Sequence, residues 1–342
     1  MMSSVNRQWL LKERPIGMVG PQHFELVQSE MPEPNLGAGE VLIKTLMLGF
    51  DPAMRGWLMD QRSYLPPVAI GEPMRASGVG QVISSENPDL PVGSIVQGLL
   101  NWQEYSLGGP NSLMPPRAVP EGVPIGMPLS VFGTTSLTAY FGLLDIGQPK
   151  EGDTVLVSGA AGATGSVVAQ IAKLKGCKVI GIAGGQEKCQ WLQNACGVDA
   201  TIDYKTEDLP TRIAQLCPDG VDVFFDNVGG STLEAAIGQM ADFGRIALCG
   251  GISGYNESEP QPGPNNLMLL VSRRIKMQGF IVLDYLDRAE EAVAYLGEQV
   301  AAGKLAWRED VQEGFDNIPA TLMRLFDGAN VGKQMLKLAN PE

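Results

Sequence analysis

The stretch Val155-Leu156-Val157-Ser158-Gly159-Ala160-Ala161-Gly162-Ala163-Thr164-Gly165-Ser166 constrains this chain more than any other. An apolar strand runs into three evenly spaced glycines and then opens a helix, Val167 to Lys175. Gly159 permits a tight turn, Gly162 lets a pyrophosphate approach the backbone, and Gly165 lets the helix pack close to the strand. The N–H groups at the helix start then bind negative charge. Such a run by itself also serves as a purely structural turn. Here Cys177–Ala183 reads as a second strand after a helix of the right length. That completes a βαβ unit of about thirty residues, the context a dinucleotide-binding fingerprint requires.

The end of that second strand bears on which dinucleotide is bound. An NAD-binding unit usually carries Asp or Glu there, accepting hydrogen bonds from the adenosine ribose. This chain has Ala183-Gly184-Gly185-Gln186-Glu187-Lys188. No acid stands at the strand tip, and Gly184 and Gly185 leave room for something bulky. Lys188, one turn into the next helix, either supplies positive charge to a 2′-phosphate or is a solvated surface lysine. Glu187 reads as a displaced ribose acceptor or as an acid in a first helical turn, where the helix dipole favours it. In the glycine context the balance falls on NADPH.

With 342 residues the chain is long enough for two domains with their own cores. A formal net charge of −13 argues against a nucleic-acid or anionic-membrane partner. No apolar run reaches membrane-spanning length, and Met1–Leu11 is polar without a signal-peptide core, so the expectation is a soluble cytoplasmic protein. The five cysteines, Cys177, Cys189, Cys196, Cys217 and Cys249, include no Cys-x-x-Cys pair, and they read as reduced structural thiols. The single histidine, His23, precedes every segment expected to form a cofactor cleft and reads as a surface or loop residue. A zinc site needs a set of Cys, His and carboxylate ligands, and a serine-type triad needs a placed histidine. The chemistry is therefore expected to proceed without metal and without imidazole.

Up to about Gly126 short strands alternate with Gly, Pro and Asn breaks, as in Glu40–Leu48, Gly78–Ser84 and Ser94–Leu100. That is the pattern of an all-β, barrel-like domain. After Pro128 helices and strands alternate, with strands expected at Thr154–Ser158, Lys178–Ala183, Ala200–Ile202, Val221–Asp226, Gly244–Cys249 and Ile275–Val282. These describe a Rossmann-type, doubly wound parallel sheet. From Leu305 a helix (Pro319–Phe326) and a strand (Lys333–Leu338) are expected to return to the β-rich part. The expected division is residues 1–127 with 305–342 as a β-rich catalytic domain and 128–304 as the NADPH-binding domain. Pro260–Pro264 marks a long loop of the kind that often forms a lid.

The motifs Asp51-Pro52-Ala53-Met54-Arg55-Gly56, Ala160 to Val168, Gln170 to Val179, Phe225-Asp226-Asn227-Val228-Gly229-Gly230, Gly250 to Asn256 and Gly328-Ala329-Asn330-Val331-Gly332-Lys333 stand in order along the chain. The arrangement resembles the zinc-independent branch of the medium-chain dehydrogenase/reductase superfamily. Within it the chain is similar to the prostaglandin/leukotriene reductases and bacterial NADPH-dependent curcumin reductase-type enzymes. The resemblance implies a GroES-like β-rich catalytic domain and NADPH-dependent reduction of the carbon–carbon double bond of an α,β-unsaturated ketone or aldehyde. It implies that Lys188 and Tyr204 meet the 2′-phosphate, and that Gly162, Ala163, Thr164 and Gly165 lie along the pyrophosphate. It implies that Asn227 and Asn330 contact the nicotinamide half, with Cys249 and Gly250 near the nicotinamide end. The chain departs from the family where Gly185-Gln186-Glu187 replaces a Ser-Asp-Glu type of sequence before the lysine, which removes one hydroxyl partner of the phosphate.

Hydride addition to the β-carbon of an enone leaves negative charge on the carbonyl oxygen, which needs a hydrogen-bond donor. A tyrosine hydroxyl or the cofactor's ribose hydroxyl remains for this. Tyr255 lies on the loop after the fifth sheet strand, at the carboxyl end where ligands of such sheets bind. It is the first candidate, and it also counts among the cofactor-binding residues; its alternative is packing of the loop. Tyr64 in the β-rich part is the second. Asp51 and Arg55 are expected to pair and fix a loop. Met47, Met54, Trp57, Met59, Trp102, Met268 and Leu269 are core residues or walls of a cleft for a hydrophobic enone. The last sheet strand is expected at an exposed edge, where pairing across a two-fold axis gives a homodimer. The rivals are a quinone reductase of the same superfamily and a non-catalytic NADPH-binding protein.

Overall fold

Short apolar runs bounded by glycine and proline become strands, and longer amphipathic runs become the helices between them. The computed structural model describes residues 5–32, 35–259 and 261–342. In chain order the first strands are β1 (Val5–Leu11), β2 (Phe24–Glu30), β3 (Val41–Gly49), β4 (Ser77–Ser85), β5 (Ile95–Leu99), β6 (Tyr105–Gly108) and β7 (Arg117–Ala118). Then follow β8 (Thr154–Val157), β9 (Lys178–Ala183), β10 (Ala200–Asp203), β11 (Val221–Asp226), β12 (Met240–Leu248) and β13 (Lys276–Gly279), and finally β14 (Glu309–Glu313) and β15 (Lys333–Lys337). The chain divides into two compact units, one holding the chain up to Ser130 with Glu309–Glu342, the other Val131–Arg308.

In the first unit the nine-residue β3 is central and almost wholly buried. It pairs antiparallel with β4 on one side and with β6 and β15 on the other. The final strand thus returns to the β-rich unit. Beside it lies β14, parallel to β15, which the acidic run Glu309–Glu313 did not announce as a strand. Trp102 is fully buried with its ring 4.8 Å from Phe24 and 5.9 Å from Phe50. Met47 and Met54 are buried as well, so these three are core rather than cleft wall.

Two further expectations fail in this unit. His23 closes the short helical turn Pro21–His23 and is buried, its Nδ1 2.9 Å from the Gly20 N–H. It is a satisfied core histidine rather than a surface one. Asp51 and Arg55 do not pair with each other in the way expected. Asp51 meets the buried Lys333 at 2.5 Å, whereas the Arg55 guanidinium donates to the carbonyls of Pro15 and Gly17.

In the second unit all six strands are parallel, in the order β10-β9-β8-β11-β12-β13. The order reverses between β8 and β11, the two strands that leave a crevice at their carboxyl ends. The core is the line of side chains Leu156, Ile180, Ile202, Phe224 and Ile246, all buried. Two strand limits differ from expectation. β12 starts at Met240 because an irregular pairing with β11 carries it past Phe243, which has φ 62°. β13 stops at Gly279, and Val282 opens the helical turn Val282–Arg288 instead of extending the strand. Of the proline-marked loop, Pro260 lies outside the described residues.

Candidate active site at the carboxyl ends of the parallel strands

The turn after β8 is built as its glycines require. Gly159 takes φ +56°, and a Cβ on Gly165 would stand 2.4 Å from Gly159 O and 2.8 Å from Ala160 Cα. The helix Ala163–Leu174 therefore starts against the turn with no space between them. Gly162 is its N-cap and offers no side-chain cap to the first N–H groups. Gly162, Ala163 and Thr164 are half-buried while Gly165 is buried. Uncapped N–H groups at a helix start with bare backbone around them are what a pyrophosphate needs. The residues present fit a dinucleotide.

At the tip of β9 the room expected over Gly184 is taken up by Tyr204. A Cβ on Gly184 would meet the Tyr204 ring and hydroxyl at 2.8 Å. Gly185 stays open, at φ +97° with nothing near its missing Cβ. Its N–H donates to Asp203 Oδ1 at 2.9 Å, a bond that holds the Asp203 carboxyl below the usual carboxylate range. Tyr204 is exposed and Lys188 half-buried. Glu187 lies in the first turn of the helix Gln186–Ala195, and its carboxylate pairs with Arg308 at 3.1 Å.

Across the switch point a polar network joins the ends of β8, β11 and β12. Asp226 is fully buried, and its Oδ1 accepts from the Ser158 hydroxyl at 2.7 Å and from the N–H groups of Val228 and Gly229. The Ser158 hydroxyl in turn accepts from the Asn227 N–H at 2.8 Å, and Asn227 Nδ2 donates to Ser158 O at 2.7 Å. The Asn227 amide is thereby oriented, one of its two N–H donors given to Ser158 O. The Asp226 carbonyl receives the N–H groups of both Cys249 and Gly250. Burial, with the Asp226 charge second, pushes the half-buried Cys249's thiol up to about 12, so it stays a neutral thiol.

Tyr255 reaches back over this network. Its hydroxyl accepts from the Gly251 N–H at 3.2 Å, and a Cβ on Gly250 would stand 3.0 Å from that hydroxyl. Beside these residues opens a cleft of about 650 Å³, lined by Asp226, Leu248, Cys249, Gly250, Phe280 and Ile281 among others. Phe280 stands edge-on to Phe225, 6.1 Å between ring centroids, and fills the space over Gly142, where a Cβ would meet it at 2.1 Å. Asp226 and Ser158 stand inside the sequence motifs, yet the motifs alone indicate no role for either. A buried acid beside a glycine turn at a strand's end was the available signal.

Tyr64 and Asn330 belong to the other unit. The indole N–H of Trp57 donates to the Tyr64 hydroxyl at 3.0 Å, and Arg75 lies 5.6 Å from the Trp57 ring centroid. Tyr64 itself is exposed. Asn330 donates from Nδ2 to Gly332 O at 3.0 Å, within the turn that leads into β15. Among the described residues no group of three or more His, Cys, Asp and Glu side chains converges as a metal site.

A parallel sheet in Rossmann order, a glycine turn at its switch point and a polar network facing a cleft define a dinucleotide-dependent oxidoreductase. The family described as the N-terminal domain of oxidoreductase matches residues 7–115, and that described as zinc-binding dehydrogenase matches residues 163–298, a segment without histidine. The NADPH-dependent curcumin reductase of Escherichia coli is 40% identical over 342 residues, covering 98% of each chain. The 2-alkenal reductase (NADP(+)-dependent) of Nicotiana tabacum is 36% identical over 340 residues, again with 98% of each covered. The crystal structure of CurA in complex with NADPH from Vibrio vulnificus superimposes with a TM-score of 0.92 at 41% identity, covering 98% of this chain and 100% of that one. The chain belongs to the zinc-independent branch of the medium-chain dehydrogenase/reductase superfamily.

Proposed function

We propose that this protein reduces the carbon–carbon double bond of α,β-unsaturated ketones and aldehydes, with NADPH as reductant. The observation that carries this reading is the Tyr255 hydroxyl, held 3.2 Å from the N of Gly251, a residue that lines the cleft at the end of β12. The relatives named for NADPH-dependent curcumin and 2-alkenal reduction support the same chemistry.

Gly162, Ala163, Thr164 and Gly165 would hold the pyrophosphate, and Gly184, Lys188 and Tyr204 the 2′-phosphate end. Asn227, Cys249, Gly250 and Tyr255 would hold the nicotinamide half. NADPH, when bound, supplies the hydride. Negative charge then develops on the substrate's carbonyl oxygen, and a preorganised donor at that oxygen lowers the barrier. Tyr255 is the donor in this reading, its hydroxyl placed against the Gly251 N–H at the end of β12. Tyr64 is the second candidate, its oxygen already accepting from Trp57. Leu248, Phe280 and Ile281 would exclude water and select a hydrophobic enone. The β-rich unit is then the catalytic domain and Val131–Arg308 the coenzyme domain.

We also infer a cytoplasmic homodimer. β13 ends the sheet order, paired only to β12 among the described strands. The neighbouring helix Met268–Ser272 leaves Met268 73% and Val271 68% exposed, apolar surface that a second copy would cover. Light scattering at micromolar concentration should return twice the monomer mass; a monomer refutes this part. No helix of the described residues is long and apolar enough to cross a membrane.

The test of the reaction is loss of the reduced-nicotinamide absorbance with an aliphatic enone, an aromatic enone, a quinone and a saturated aldehyde, each repeated with NADH. Turnover of enones with NADPH alone is expected. Quinone-only turnover would mark a quinone reductase, and tight NADPH binding without turnover a non-catalytic protein.

A further inference from the structure

Glu187 stands one residue before Lys188, at the place where a 2′-phosphate is expected to lie. An uncompensated carboxylate there repels the phosphate, the more so on a chain of net charge −13. The Arg308 guanidinium is brought to Glu187 from 121 residues further along the chain, Nη2 to Oε1 at 3.1 Å. The position is built. Gln170, buried on the helix that follows the glycine turn, spends both ends of its amide on the backbone of Ala306. Its Nε2 donates to Ala306 O at 2.8 Å and its Oε1 accepts from Ala306 N at 2.7 Å. Leu305 is buried beside this clamp. The segment that carries Arg308 is thus pinned to the dinucleotide helix two residues before the guanidinium.

The pair has little to do for stability. Both side chains are well exposed, 43% for Arg308 and 73% for Glu187, and exposed pairs of this kind contribute little to folding. From this geometry we propose that Arg308 determines coenzyme specificity: it offsets the charge of Glu187, the acid in the first turn of the helix Gln186–Ala195, beside the place of a 2′-phosphate. The inference rests on the NADPH reading and adds a residue to it.

Calorimetry with adenosine 2′,5′-bisphosphate and 5′-AMP, at low ionic strength, tests it on the whole chain. Arg308→Gln should bind the bisphosphate about tenfold more weakly, as expected for one charge at a partly solvated site, and 5′-AMP within about twofold of wild type. Adding Glu187→Gln to that variant should restore most of the lost affinity, because the repelling charge is then gone. Thermal melting should be unchanged in all three proteins. Equal losses for both ligands, no loss for either, or a double variant as weak as Arg308→Gln would overturn the proposal while leaving the NADPH reading intact. A wild type that binds both ligands equally overturns the NADPH reading and this inference with it.

Discussion

The Ser158 hydroxyl donates to the buried Oδ1 of Asp226 at 2.7 Å, and the same hydroxyl accepts from the Asn227 N–H. One oxygen thereby locks the end of β8 to the end of β11, the two strands between which the sheet reverses its order. The nicotinamide half of a dinucleotide would lie along this seam, so the polar network serves both the fold and the crevice.

Ser158→Ala removes that bond and takes the acceptor from the Asn227 N–H, leaving Asp226 Oδ1 to the N–H groups of Val228 and Gly229. A loss of about 1–3 kcal/mol is expected in urea denaturation. A loss below about 0.5 kcal/mol, the range of ordinary surface changes, would show that water or a neighbour replaces the hydroxyl.

Burial raises the Asp226 carboxyl above its ordinary value, against the donors Val228, Ser158 and Gly229, which lower it. A group raised in this way keeps its proton to higher pH folded than unfolded. Its contribution is full below the unfolded value of about 3.9 and is lost as pH rises through the folded value. Measured by urea denaturation from about pH 4 to about pH 7, wild type should lose stability relative to Asp226→Asn. A gap that moves in the opposite direction would mean that the surrounding donors hold Asp226 as an anion.

Gly165 and Gly162 separate folding from binding. Gly165→Ala drives a methyl into backbone at 2.4 Å, which neither Gly159 nor Ala160 can yield cheaply, and should cost about 1–3 kcal/mol or more. At Gly162 the added methyl meets only Gly159 O, at 3.2 Å. Gly162→Ala should therefore cost less stability than Gly165→Ala yet bind NADPH about tenfold or more weakly, about 1.4 kcal/mol, because the methyl stands where the pyrophosphate approaches. Thermal melting and a fluorescence titration distinguish the two, and unchanged affinity in Gly162→Ala would move the pyrophosphate elsewhere.

Tyr255→Phe should lower kcat/KM on a simple enone about a hundredfold or more, the usual cost of a lost oxyanion donor. Tyr64→Phe should lower it less. Unchanged kcat/KM in Tyr255→Phe removes Tyr255 from the chemistry, and a large loss in Tyr64→Phe alone transfers the role to Tyr64.

What depends on neighbours in the chain is legible before any fold is known. Alternating apolar runs and helical periods locate the six parallel strands of the second unit to within a few residues. The glycines of Ser158–Ser166 dictate a turn only they can make, and the motif after β11 marks the other side of the crevice. Local sterics and apolar periodicity act over a handful of residues, so they are legible without the fold. The rest depends on which distant segments the fold brings together. Asp51 finds Lys333, 282 residues away, rather than Arg55 four residues on. His23 is buried, Tyr204 covers Gly184, and Glu309–Glu313 becomes a strand because β15 returns beside it. Asp226 with Ser158, and Arg308 with Glu187, are likewise pairs between distant segments. A charged or polar side chain takes the partner that chain closure brings within reach, and no local period records which one that is.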